Sequence, residues 1–302
     1  MQSVYAITQT GNPDLQKEEK FLEASMENMY NLYLLVVSLL IEIRKKAEQQ
    51  LVLSQKKYLA TSEEKNPNKK FINNLLLNKL LGNKVLLDEL AKRKLSWELD
   101  ESYVDHVYQA ILQSGEYQAY MALPKTSFET DIELVSALFK EVVAVHPKLH
   151  EFIEDNRLTW LDDLPLVNTH LLKMLENVKP STPDGYFLPK LFKDEDDKLF
   201  AKELLKKTVL NFEKLQKEIE GKTPNWDTER IADIDAILMK MAICEFLKFP
   251  SIPVKVTINE YVEIAKEYST PKSSVFINGI LDKLVKDYQA NNSLNKTGRG
   301  LM

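Results

Sequence analysis

A chain of 302 residues, 44% hydrophobic and 28% charged with only eight glycines, is long enough to bury one elongated core or two separate ones. Its formal net charge of −5 has the wrong sign for holding nucleic acid by bulk attraction, so any such contact must be local. The single cysteine, Cys244, excludes a disulfide within the chain and fits a reducing cytoplasm; it falls on an apolar helical pattern, where it reads as a small buried hydrophobe.

In chain order, a first helix is expected over residues 1–9, closed by the Gly11-Asn-Pro13 break. No basic region leads into a hydrophobic stretch at the N-terminus, so no signal peptide is expected. A long amphipathic helix follows, from about Glu18 to beyond Leu51. Its longest apolar run, Tyr33 to Ile43, carries Ser38 and Glu42 and falls short of the roughly 20 residues that a membrane span requires. No membrane partner is expected. Thr61 to Lys70, with Asn66-Pro67-Asn68 inside it, reads as a polar loop.

The three tryptophans, Trp97, Trp160 and Trp226, each close a segment of similar pattern. Counted back from each Trp without gaps, Leu75, Leu138 and Leu204 fall together, as do Leu80, Val143 and Val209, then Leu86, Leu149 and Leu215, then Leu90, Ile153 and Ile219. The spacing predicts two helices per segment, broken at Gly82-Asn83, His146-Pro147 and Asn211-Phe212. Residues 11–180 are therefore expected to hold two degenerate copies of a helical hairpin that recurs nearer the C-terminus; the alternative is that any Leu-rich helical pair aligns this well once anchored on a Trp. Pro180 to Pro189, with three prolines and Gly185, marks a linker over residues 181–196, and Asp194-Glu-Asp-Asp197 reads as a solvated helix start, where carboxylates suit the helix dipole.

Ile231, Ile234, Ile237, Leu238, Met241 and Cys244 describe a helix with one buried stripe. Pro250 and Pro253 end it, Thr257-x-x-Glu260 is a capping-box pattern, and Ile258, Val262 and Ala265 give the next helix its buried face. Ser269-Thr-Pro271 stops that helix, and Ser273 or Ser274 is expected to cap the last one, which carries Phe276, Ile280 and Leu284. A large ring in a first helical turn can protrude beside N–H groups that favour phosphate. Gly279 costs about 1 kcal/mol relative to Ala in a helix, which points to close approach of another backbone or of RNA. The tail after Tyr288 has no apolar period and is expected to be flexible.

Three blocks in this order, Trp226 to Leu247, Pro253-Val-Lys-Val-Thr-Ile-Asn-Glu260 and Val275-Phe-Ile-Asn-Gly-Ile-Leu-Asp282, resemble the C-terminal half of the NusB family of bacterial transcription antitermination factors. The resemblance spans roughly residues 197–288, and Gln2-Ser-Val-Tyr-Ala6 looks like the end of the family's first helix. It implies an all-α fold, a NusB-like helical bundle with an additional N-terminal helical region. The implied domains are a first helix over 1–10, an inserted helical region over 11–180, the 181–196 linker, the NusB-like domain over 197–288 and a flexible tail over 289–302.

The resemblance further implies an adaptor in the cytoplasm, not an enzyme. With NusE, a ribosomal small-subunit protein, it would bind the single-stranded boxA element of nascent ribosomal RNA, engaging other Nus factors and RNA polymerase indirectly. Carried over by position, Phe276 is the stacking residue, Lys272 stands on the loop before it, and Asn278 and Gly279 lie nearby. Asp235 and Glu245 fall where the family offers acidic groups to NusE. Two departures stand against this. The family's arginine-rich RNA-binding arm precedes the first helix, inside which Met1 lies here, and Lys272 replaces an acidic residue, reversing the charge. The alternative is a helical protein-binding scaffold that has lost direct RNA readout.

No catalytic residue, metal ligand set or cofactor is expected. There is no phosphate-binding glycine loop, paired-Cys motif or His-Glu-x-x-His, and His146 and His150 flank Pro147 at a helix break without an evident third ligand. A NusB-like domain also precedes the catalytic domain of a ribosomal RNA cytosine methyltransferase, but no room for that domain is expected after residue 288.

Overall fold

A computed structural model describes residues 1–11, 14–56, 66–220 and 231–301. Asn12-Pro13 of the expected break, the first half of the Thr61–Lys70 loop, and Trp226 lie outside them. Regular structure among the described residues is entirely helical, and the chain divides into two compact units. One holds residues 1–24 and 192–302, the other 25–191; the division falls inside helix α2 (Leu15–Gln55), which follows α1 (Gln2–Thr10). Gly11 closes α1 in the left-handed conformation (φ 65°), which glycine adopts without strain.

The 25–191 unit is built around α2, whose residues Leu32 to Ile41 are all buried. Ten consecutive residues make almost three turns, so every side of the helix is covered. By length and composition this helix could cross a membrane, but its apolar stretch lies inside a protein core. Around it pack α3 (Leu75–Leu81), α4 (Lys84–Arg93), α5 (Glu101–Gln113), α6 (Gly115–Ala122), α7 (Phe128–Leu138), α8 (Pro147–Asn156) and α9 (Trp160–Asn177). Short polar side chains set where these helices start. Asn74, Asn83 and Ser114 each accept a hydrogen bond from the backbone N–H three residues on, and Ser127 forms a reciprocal capping box with Thr130. The His146 ring accepts from Lys148 N, with Pro147 in the first turn, so this imidazole is spent on capping α8.

The paired helices break at Gly82-Asn83 and at His146-Pro147, as the spacing predicts. Leu86 and Leu149 are buried at matching positions, as are Leu90 and Ile153; Leu75 departs from the pattern, 53% exposed beside a buried Leu138. Both tryptophans do the same job. The indole N–H of Trp97 donates to Leu35 O (3.1 Å) and that of Trp160 to Asn28 O (2.7 Å), seven residues apart on α2. A buried indole must find an acceptor, and helix carbonyls with spare lone pairs supply it.

The Pro180–Pro189 stretch is part of this unit rather than a free linker. Its 3₁₀ turn (Asp184–Phe187) buries Phe187 completely, and Phe187 O accepts from the Tyr33 hydroxyl. A large aromatic ring with a core to enter holds the segment down despite its prolines.

The other unit contains α1, α10 (Glu195–Leu210), α11 (Phe212–Ile219), α12 (Asp233–Lys248), α13 (Val254–Tyr268) and α14 (Ser273–Ala290). Asp194 caps α10 as the acidic run predicts, and α10 and α11 break at Asn211. The single buried stripe expected on α12 is corrected: Ile237 to Phe246 are all buried, because α1, α10, α11, α13 and α14 pack around this helix. Cys244 is among them, and burial pushes its thiol up, away from nucleophilic chemistry. The capping box expected at Thr257 is also corrected. Helix α13 begins three residues earlier, after Pro253, and Thr257 points into the core.

The tail does not run free. Thr297 N donates to Pro250 O (3.0 Å), and the Lys296 ammonium donates to Glu245 O and Phe249 O, the carbonyls at the end of α12. Gly300 lies so close to Pro250 that a Cβ would stand 2.0 Å from its carbonyl oxygen. Unsatisfied C-terminal carbonyls favour a cation, which outweighs the tail's lack of apolar period.

One buried carboxylate tests the packing of the 25–191 unit. Asp131, 1% exposed, accepts from the Tyr120 hydroxyl (2.6 Å) and from Leu75 N (2.6 Å), tying α7 to α6 and to the start of α3. Asp131→Ala strands Leu75 N and leaves the Tyr120 hydroxyl only its long contact to Lys70 O (3.5 Å), and is expected to cost about 3 kcal/mol, against about 1 kcal/mol for Tyr120→Phe. Urea unfolding followed by tryptophan fluorescence measures both; equal midpoints for wild type and Asp131→Ala would contradict this account.

Candidate nucleic-acid interface

The candidate interface lies at the start of α14. Pro271 follows the last residues of α13, and Lys272 occupies the N-cap position, so Ser273 and Ser274 sit one step later than expected, in the buried first turn. The inward register shifts with them. Ile277, Leu281, Leu284 and Tyr288 face the core, leaving Phe276 and Ile280 half-buried at its edge. Phe276 and Lys272 line a small concavity of about 120 Å³ with Thr270, Asp235 and Ile231.

Successive residues turn by about 100° around a helix. Lys272, Phe276, Gly279 and Lys283 therefore follow one another along one side of α14, next to Val275, which is 76% exposed. Asn278 is not brought to this group. It stands about 200° round from Phe276, at the far margin of the exposed surface, 3.5 Å from Asp282. Gly279 is exposed, and a Cβ there would meet nothing within 4 Å among the described residues, so none of their backbone requires a glycine.

The two residues expected to offer charge to a partner are buried, which corrects that expectation. Asp235 is 5% exposed and accepts a short hydrogen bond from Ser269 Oγ, which lies 2.9 Å from Ser273 Oγ; Thr270 Oγ1 is 2.8 Å from the same atom. The carboxylate thus pins the α13–α14 loop and sets the position of Lys272 and Phe276. Glu245, also 5% exposed, accepts from Thr257 Oγ1 (2.6 Å) and the Tyr261 hydroxyl (3.2 Å). Both lie where α12 is covered by neighbouring elements, so their side chains find partners inside. Lys240, between them, places its ammonium 3.5 Å from the centre of the Phe212 ring, and burial lowers its pKa to about 8. The carboxylate that α12 does expose is Asp233, which accepts from Gln9 Nε2 (3.3 Å). The sequence reading passed over it, although two acids two residues apart at a helix start cannot both face the same way.

The fold is that of an all-helical protein, and the polar side chains described around this site fix a loop and the helices it joins. The NusB family profile matches residues 169–286. The chain is 44% identical over 112 residues to the transcription antitermination protein NusB of Salinibacter ruber, covering 37% of this chain and 70% of that one. It is 42% identical over 103 residues to the protein of the same name from Chloroherpeton thalassium (34% and 49%) and 43% identical over 94 residues to that of Thermodesulfovibrio yellowstonii (31% and 62%). No solved structure matches. The chain belongs to the NusB family, and these relatives are named transcription antitermination proteins. The match begins within α9 and leaves most of the 25–191 unit outside it.

Two substitutions test this geometry. Burial is the main influence on the Glu245 carboxyl and raises its pKa from 4.5, against the two hydroxyl donors. The fold therefore binds this proton more tightly than the unfolded chain does, a contribution complete below about pH 4.5 and lost as pH rises through the folded value. Glu245→Gln keeps an acceptor for Thr257 and never has to ionise, so its stability relative to wild type is expected to rise as pH climbs above about 4.5. Chemical denaturation across that range measures it, and a falling difference would overturn the assignment. Gly279→Ala is expected to stabilise the fold by about 1 kcal/mol through helix propensity alone. A lowered melting temperature would mean that an unseen neighbour crowds the position.

Proposed function

We propose that this chain binds boxA-type single-stranded RNA together with NusE, the ribosomal small-subunit protein, and acts in antitermination on ribosomal RNA operons, engaging other Nus factors and RNA polymerase indirectly. Its place is then the cytoplasm, where nascent RNA emerges. The observation that carries the reading is the Phe276 ring at the first turn of α14, with Lys272 and Lys283 on the same side and Gly279 leaving space between them. A base stacked on an aromatic face contributes about 1–3 kcal/mol, and flanking cations hold the backbone phosphates. With net charge −5, binding of this kind depends on that local arrangement.

The exposed Asp233, beside Gln9 of α1, is the acidic group best placed to meet a basic partner such as NusE. A second reading, a helical protein-binding scaffold without direct RNA readout, is favoured by the partial burial of Phe276, which leaves less ring for a base.

The deciding measurement is boxA RNA affinity of the full chain with and without NusE, at two salt concentrations, for wild type and Phe276→Ala. Binding that tightens with NusE, weakens with salt and falls about tenfold or more in the variant is expected, since that is the loss of one stacked base. NusE binding that survives ribonuclease and the substitution, without RNA affinity, would establish the scaffold instead.

A further inference from the structure

Away from α14, the unit of residues 1–24 and 192–302 carries a long open groove between α10 and α13, floored by α12, with a volume of about 960 Å³. Its sides are apolar. Leu199 (55% exposed) and Phe200 rise from α10, and Val256 (46% exposed) and Ile264 from α13, while Phe249 stacks edge-on against Phe200. Its rim is acidic: Asp196 and Asp197 stand at the start of α10 and Glu260 on α13, all exposed. The cations of the lining are Lys207 and Arg299. Lys207 is already paired with Glu203 (3.1 Å) and sits over the Phe249 ring. Arg299 comes from the docked tail, so a cationic residue of this chain already lines the groove.

We infer that this groove is a docking site for a basic amphipathic helix of a partner protein. The apolar side of such a helix lies between Leu199 and Val256, and its Lys or Arg residues meet Asp196, Asp197 and Glu260. Three features lead there. Exposed Leu and Val facing each other across a helix-lined groove fit side chains spaced at i, i+3, i+4 and i+7. An acidic rim selects a cationic partner by charge complementarity and repels the phosphates of RNA. A second copy of this chain, itself at net charge −5, would meet the same repulsion. The site is separate from the Phe276 surface, and the inference does not depend on the RNA or NusE reading.

The probe is a fluorescein-labelled 16-residue Leu/Lys amphipathic peptide, titrated by anisotropy against the full chain. Two controls accompany it, a Leu/Glu twin and a Ser/Lys peptide of equal charge without an apolar face. Wild type is expected to bind the Leu/Lys peptide at least tenfold more tightly than either control. Leu199→Ser with Val256→Ser is expected to lower that affinity at least tenfold. Asp196→Asn with Glu260→Gln is expected to lower it and to flatten its salt dependence. Leu99→Ser with Glu98→Gln, at another exposed Leu beside an acid, should change nothing. The substituted side chains are exposed, so an unchanged melting temperature separates lost docking from lost folding. Equal binding by wild type and the Leu199/Val256 variant, no preference over the controls, no binding of the Leu/Lys peptide, or its displacement by single-stranded RNA would each overturn the inference.

Discussion

A helix that is apolar on every side has to be wrapped, and each unit of this chain is organised around that requirement. Leu32–Ile41 of α2 and Ile237–Phe246 of α12 are ten-residue runs with every side chain buried. Neither would persist alone in water, because each fully buried Leu or Ile contributes about 1.5–3 kcal/mol only once its covering is in place. The remaining helices supply that covering, and their caps, breaks and lengths follow from having to lie around a cylinder. The tryptophans of the 25–191 unit go further, bonding directly to backbone carbonyls of the helix they cover.

The same requirement explains the polar chemistry of α12. Where the helix is covered there is no solvent face on which to leave a charge, so the buried Asp235, Lys240 and Glu245 each take a partner from the covering elements: a serine hydroxyl, an aromatic face and a Thr–Tyr pair. Such pairs add little net stability over apolar residues, but they specify which loop and which helix register fit. For Asp235 that means the α13–α14 loop. The surface carrying Phe276 and Lys272 is therefore held from beneath by a largely buried carboxylate.

Wrapping also accounts for where the surface is left open. The α13–α14 loop leaves a ring half-exposed beside a cation, and the space between α10 and α13 is partly filled by the chain's own tail. The exposed charge beside the first opening is Lys272, whereas the exposed rim of the second carries Asp196, Asp197 and Glu260, so the two differ in charge.

Much was legible in the sequence. The all-helical class, the breaks at Gly82-Asn83, His146-Pro147 and Asn211-Phe212, the Asp194 cap and the NusB kinship are matters of local propensity, capping chemistry and motif, which act over a few residues and survive in a one-dimensional reading. Which polar residues face outward was not. Asp235 occupies a position that a helical pattern with one buried stripe leaves solvated, whereas Glu245 falls on the stripe itself, four residues after Met241, where its charge argued for solvent against its position; Asp233 looked no different from Asp235. The Pro180–Pro189 segment and the tail carried the composition of loose chain, yet Phe187 found a core and Lys296 found the open carbonyls of α12. The sequence by itself determined which segments are helices, where they start and stop, and the family. Only the tertiary structure decided exposure, because exposure depends on what distant segments pack on a residue, and the residue's neighbours in the chain do not encode it.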